Sequence, residues 1–275
     1  MNPTPEDDVL AERLVLALQP VLRLRPETRN LVGVHAASER VETRLVGLGF
    51  AVRRFKLWGH PDVLVADRAG SGALRIGLAG HYDVEEEGDG WSTEPFSVTQ
   101  ASGRLFARGI ADNLGPLLLR LLALEGLHRA PRLLFVLQGE EEVGSPAAHL
   151  IYPHLNLPRV DLWLDETGYY EADGSQRLLA RGIERLPEAV RDALMRSAHQ
   201  HGRRVNVHDR FLNKAFGQQR CPFLTHLVGP TPYLAIGPND TASRIHQPDE
   251  SLPIANLAAS VHQFRSILVT AGGVE

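Results

Sequence analysis

A single cysteine, Cys221, has no partner within the chain, so no internal disulfide can staple this fold. A reducing, cytoplasmic setting is the expectation. The first residues include Glu6, Asp7 and Asp8, the reverse of the basic start and apolar run of a secretory signal. Apolar stretches of the ~18 residues that suggest a membrane helix are missing, so no membrane partner is expected. Excess positive charge is missing too: the net charge is -4 over 275 residues. The short arginine groups (Arg23 and Arg25, Arg53 and Arg54, Arg203 and Arg204) read as solvated faces, and no nucleic-acid partner is expected. Low-complexity linkers and internal repeats are absent, which points to a single domain over residues 1–275.

What remains is an ordinary globular composition with 12 histidines. A helix is expected over Pro5–Gln19, capped by Thr4 and stopped by Pro20. Further helices fit Ala36–Leu48, Leu114–Leu127, Pro146–Tyr152, Pro187–His201 and Leu252–Leu268. Strands fit Ala51–Leu57, Asp62–Ala66, Leu74–Ala79, Arg132–Leu137, Val160–Leu164, Ser175–Ala180, Val205–His208 and Pro232–Ile236. A hairpin turns at Ser102-Gly103. Strands alternating with helices imply an α/β fold, a mostly parallel mixed sheet sandwiched by helices.

In such sheets sites form at the carboxyl ends of the strands. Here those ends carry Gly80-His81-Tyr82-Asp83, Gly139-Glu140-Glu141-Glu142-Val143-Gly144, Asp165-Glu166 and Gly237-Pro238-Asn239, with His246 beyond. His81 and Asp83 point the same way on an extended segment, which suits a carboxylate that fixes a ligating imidazole. Like charges in the glutamate run Glu140–Glu142 repel unless a cation compensates them. Neighbouring glutamates diverge, so one can hold a metal while the next acts as a base. The run Glu85-Glu86-Glu87 reads as a solvated acidic loop. Asp112 precedes a helix, where capping is the plainer role.

The segments GHYDVEEEGDGWSTEPF from Gly80, GRLFARGIADNLGPLL from Gly103 and LQGEEEVGSPAAHL from Leu137 together resemble the co-catalytic di-zinc peptidase and deacylase family. That family includes carnosine dipeptidases, acetylornithine deacetylase and succinyl-diaminopimelate desuccinylase. The resemblance implies His81 and Asp165 on one metal, Glu142 and His246 on the other, and Asp112 bridging both. It implies Asp83 as the residue orienting His81 and Glu141 as the general base, with Glu140 a bystander. Two divalent ions would be held, zinc by preference, with manganese or cobalt also fitting the donors. The implied substrate is a small peptide or an N-acyl amino acid.

The chain departs from many relatives in one respect. About 80 residues separate Asp165 from His246, too few for an inserted lid of ~100 residues, a common domain size. The dimerisation and the oxyanion-binding histidine that such a lid supplies are therefore open, and so is the oligomeric state. Being lid-less, the chain is also similar to single-domain zinc aminopeptidases. Tyr169, His208 and Asn239 are candidates to stabilise the oxyanion, and Arg220 to clamp a substrate carboxylate. Recognition of a free amine would call on Glu166 or Glu140. Aminopeptidase activity and a non-catalytic or partner-dependent role stand as alternatives.

Overall fold

The computed structural model describes residues 2–165, 168–209, 215–216 and 219–274, with residues 198, 209, 215, 216, 219 and 220 described by main chain only. Helix α1, Pro5–Leu22, opens on a reciprocal cap: Thr4 Oγ1 accepts from the Asp7 amide at 3.2 Å, and Asp7 Oδ2 accepts from the Thr4 amide at 2.9 Å. It does not stop at Pro20 as expected but runs through it. Leu16, whose carbonyl loses its donor to the proline ring, is 76% exposed, so water can replace the missing N–H. Helix α2, Leu31–Gly47, begins ahead of the expected Ala36, because the Asn30 side chain accepts from the Gly33 amide and caps it there.

Strands β1 (Ala51–Phe55), β2 (Val63–Arg68) and β3 (Arg75–His81) follow, then the hairpin β4 (Thr99–Ala101) and β5 (Arg104–Phe106). Helix α3 (Leu114–Leu124), β6 (Arg132–Gln138), α4 (Pro146–Ile151) and β7 (Leu162–Asp165) come next. The second half adds β8 (Tyr169–Tyr170), β9 (Gln176–Arg181), α5 (Glu188–Gln200), β10 (Val205–Asp209), β11 (Ala215–Phe216) and β12 (Gln219–Arg220). The chain closes with β13 (Tyr233–Ala235), β14 (Asn239–Asp240), β15 (Ser251–Pro253) and α6 (Leu257–Gly272). The last helix therefore starts later than the expected Leu252. The residue before a proline is driven to extended backbone, so Leu252, before Pro253, pairs with β5 instead.

Among the described residues, ten strands form one mixed sheet along the path β1-β2-β6-β3-β7-β13-β9-β8-β14, with β10 paired to β9. At its centre β6, β3, β7 and β13 are parallel, and antiparallel pairs flank them on both sides. Alternation along β2 sorts the two faces. Leu64 and Ala66 join the core under α1, α2, α3, α5 and α6, while Val63 and Val65 join a second core with Ala148, Tyr152, Phe223 and Leu224. The helical cover is thus unequal: five helices lie on one face, and α4 with the π-type turn Phe223–Val228 covers the other. No separate lid is present among the described residues. The parallel strands end on one edge, where His81 closes β3, Gln138 closes β6 and Asp165 closes β7.

Candidate metal centre

His81 is the last residue of β3 and is 1% exposed. Its Nδ1 meets the Asp83 carbonyl oxygen at 3.1 Å and Asp83 Oδ1 at 3.2 Å. Those contacts fix the ring and leave Nε2 facing outward, 3.0 Å from Asp112 Oδ1. Asp83 is fully buried and serves four groups. Besides His81 it accepts from the amides of Glu141 and Glu142, each at 3.2 Å, and from the Thr28 hydroxyl at 2.8 Å. One carboxylate therefore couples the histidine of one strand end to the glutamate turn of the next.

That turn separates the three glutamates. Residues Glu141–Val143 form a 3-10 turn, closed by Gly144 at φ 88. Glu140 points back into the protein, accepting from the Ala147 amide at 3.0 Å and meeting His60 Nδ1 at 2.9 Å. The Glu142 side chain is 1% exposed and lies 2.8 Å from His246 Nε2. Among the described residues, neither of its carboxylate oxygens receives a well-directed hydrogen bond.

Asp112 lies on the loop before α3, but its side chain does not cap that helix. Oδ1 faces His81, and Oδ2 lies 3.4 Å from His246 Nε2. The loop is held by Glu250, which accepts from the amides of Gly109, Ala111 and Asp112 at 3.1, 2.8 and 3.0 Å and pairs with Arg108 at 2.9 Å. His81, Asp112 and Glu142 present ligand atoms mutually within 4.8 Å, and Glu85, Glu142 and His246 form a second such group.

The electrostatics follow from this crowding. Burial alone would lower the His81 pKa, yet hydrogen bonds to Asp112 and Asp83 carry it well above the usual histidine value. Burial alone would raise the Asp112 pKa, yet hydrogen bonds from His246 and His81 hold it below the usual carboxylate range. His246 is pushed up to about 10 by its contacts with Asp112 and Glu142. Glu142 is pushed up to about 7, chiefly by burial, and burial raises Glu141 as well. Carboxylates and imidazoles packed this closely hold together when a proton or a cation lies between them. The buried, under-donated Glu142 carboxylate and the two outward imidazole nitrogens are a donor set that fits divalent metal.

The other expected residues are dispersed. Asp165 ends β7, 6% exposed, and its carboxylate accepts from the Tyr233 hydroxyl. It is not part of either group of ligand atoms within 4.8 Å. Asn239 is buried beside the loop of Asp112: its Nδ2 donates to the Ala111 carbonyl at 2.9 Å, and Oδ1 has no donor among the described residues. The Tyr169 hydroxyl accepts from Arg177, and His208 is exposed on β10 at the side of the sheet. The Arg220 side chain and Glu166 lie outside the described residues. Thr28, Glu250 and Tyr233 were not expected at the site. Each reaches it across a long sequence separation, and no local spacing marks them. Glu85 was read as solvated, yet it borders the cluster.

Comparison with known proteins adds the following. Residues 77–270 match the sequence profile of Peptidase family M20/M25/M40. Beta-Ala-His dipeptidase of Homo sapiens is 31% identical over 144 residues, which is 48% of this chain and 28% of that protein. Succinyl-diaminopimelate desuccinylase of Novosphingobium aromaticivorans is 32% identical over 157 residues, 55% of this chain and 39% of that protein. The matched segments thus span well under two-thirds of these relatives. The structure of the di-peptidase Dug1p from Saccharomyces cerevisiae superposes with a TM-score of 0.78 at 12% identity, covering 97% of each chain. At that identity the likeness concerns the fold.

Proposed function

Because the chain belongs to peptidase family M20/M25/M40, we propose that it is a two-metal amidohydrolase that cleaves the amide bond of a dipeptide or an N-acyl amino acid. One observation carries the reading: Asp112 offers a separate oxygen to each of two histidines, His81 and His246, beside the buried Glu142. In this reading His81 and Asp165 would hold one ion, Glu142 and His246 would hold the other, and Asp112 would be shared by both. Zinc is the proposed metal, with manganese or cobalt compatible with the same donors. When bound, such a pair polarises the scissile carbonyl and lowers the pKa of a water.

The chain's own residues do the rest. Asp83 and Thr28 lock the ring of His81, so its tautomer and direction are set before substrate arrives. Glu141 is the general base. Its amide is tied to Asp83, and burial raises its pKa, which moves it toward the value at which it both takes and gives a proton near neutrality. It takes the proton of the attacking water and delivers it to the leaving nitrogen. Of the three oxyanion candidates, Asn239, next to Asp112, is proposed, through the second hydrogen of its Nδ2, the first being donated to Ala111, since the other two candidates lie at Arg177 and on the outer strand β10. The chain acts as one catalytic domain, in the cytoplasm, on a small substrate.

The test is metal analysis of the purified protein with a hydrolysis screen over dipeptides, N-acyl amino acids and aminoacyl anilides. The expected result is two equivalents of metal and chelator-sensitive cleavage of the first or second class. Metal-loaded protein that cleaves none of them overturns the reading. Cleavage of anilides alone replaces it with an aminopeptidase.

A further inference from the structure

The three glutamates after Val84 do not behave alike. Glu86 pairs with Arg29 at 3.0 Å and Glu87 with Arg25 at 2.9 Å, which turns both toward solvent-side cations. Glu85 is half-buried and meets no arginine or lysine among the described residues. Its one hydrogen bond comes from the neighbouring Glu86 amide at 3.2 Å. Its carboxylate instead lies within 4.8 Å of the ligand atoms of Glu142 and His246. His246 is the half-exposed member of the centre, so Glu85 stands on the open side, where substrate must enter.

Two roles suit a carboxylate there: a further metal ligand, or an anchor for a positive group on the substrate. Asp112, Glu142 and His246 already supply three protein donors on this side, and a fourth would close the position a catalytic centre has to keep open. The second role answers a physical need. In a dipeptide the free amine lies two bonds from the scissile carbonyl carbon. It is therefore brought close to two dications, which repel an ammonium group unless a carboxylate faces it. Glu140 is engaged by His60 and the Ala147 amide, and Glu141 is reserved for proton transfer. Resting on the hydrolase reading above, we propose that Glu85 binds the free ammonium group of the substrate and makes the enzyme a dipeptidase rather than an N-acyl amino-acid deacylase.

The experiment compares L-alanyl-L-alanine with propionyl-L-alanine, which is the same molecule without the amine, in the metal-loaded wild type and in Glu85→Gln and Glu85→Ala. Metal content and affinity are measured by calorimetry on the same samples. The wild type should prefer the dipeptide by about 10- to 100-fold, and both variants should lose that factor through KM, because a charge-assisted hydrogen bond is removed. Propionyl-L-alanine should change less than about two-fold, and two equivalents of metal should remain. Equal losses on both compounds, or loss of a metal equivalent, would mean that Glu85 is a ligand and overturn the proposal. So would a wild type that prefers the propionyl compound, with the hydrolase reading intact. Cleavage of neither compound ends both readings.

Discussion

Each oxygen of Asp112 faces a different imidazole, a task that an amide side chain of the same shape cannot perform with a cation on both sides. On the proposed two-metal reading, Asp112→Asn is expected to reduce bound metal from two equivalents to at most one, read by elemental analysis. Glu141→Gln should do the opposite, keeping the metal and lowering kcat about 10²- to 10⁴-fold, the usual worth of a positioned general base. The pH dependence of metal binding has a definite sign. The metal-free protein holds a proton on His246, whose pKa is pushed up to about 10, and on part of Glu142, at about 7. A metal must displace those protons, so affinity should rise with pH up to about 10, and calorimetry in buffers of different ionisation enthalpy should show proton release. Both pKa values lie above those of the unfolded chain. The metal-free protein therefore binds more protons folded than unfolded, and its Tm should fall as pH climbs through about 7 toward about 10. The gathering of histidines and acids after apolar strand runs was legible in sequence, because such groups are costly there without a reason, while the singling out of His81, Glu142 and His246 rested on the family resemblance. The separate fates of Glu140, Glu141 and Glu142 were not legible, because a one-residue change of direction depends on the tight turn closed by Gly144.

The loop Gly109–Asn113 shows what an element contributes. Three of its amides converge on Glu250, whose side chain is 1% exposed and paired with an Arg108 side chain that is 2% exposed. Glu250→Ala leaves that guanidinium buried without its partner and frees three amides. Denaturant unfolding should show a loss of about 3–5 kcal/mol, with weaker metal binding because Asp112 is no longer held. Strand β15 is the element that delivers Glu250, and it was hidden in sequence under the start of an expected helix. The helical pattern is genuine from Leu257 onward. Leu252 and Pro253 instead follow the backbone restriction before proline and the pairing with β5, a non-local contact that periodicity cannot register. In α1 the error ran the other way: the local rule at Pro20 predicted a stop, and packing of Val21 and Leu22 into the core carried the helix on.

At the scale of the whole molecule, the centre is assembled from strand ends and loops far apart in sequence, so a metal bound there stabilises the global fold. At a free metal concentration of 100 Kd the gain should be about 2.7 kcal/mol, seen as a higher denaturant midpoint than in chelator-treated protein. Arg120 on α3 shows how the edge is braced from beneath: it donates to the carbonyls of Asp165 at 2.6 Å and Ile236 at 2.9 Å, tying β7 to the chain leaving β13. The sequence by itself determined the kind of fold and the places along the chain where acids and histidines gather. Alternating apolar strands and helices need a covered sheet, and acids and histidines crowded at the strand ends need a proton or a cation between them. Tertiary structure alone decided which side chains meet. The order β6-β3-β7-β13 sets neighbouring strand ends side by side, and long-range hydrogen bonds, donated by Thr28 and Tyr233 and accepted by Glu250, aim the side chains there. Contacts of that kind depend on register and burial across the whole chain, and so did the placement of Glu85 near His246, apart from Glu86 and Glu87, which pair with exposed arginines.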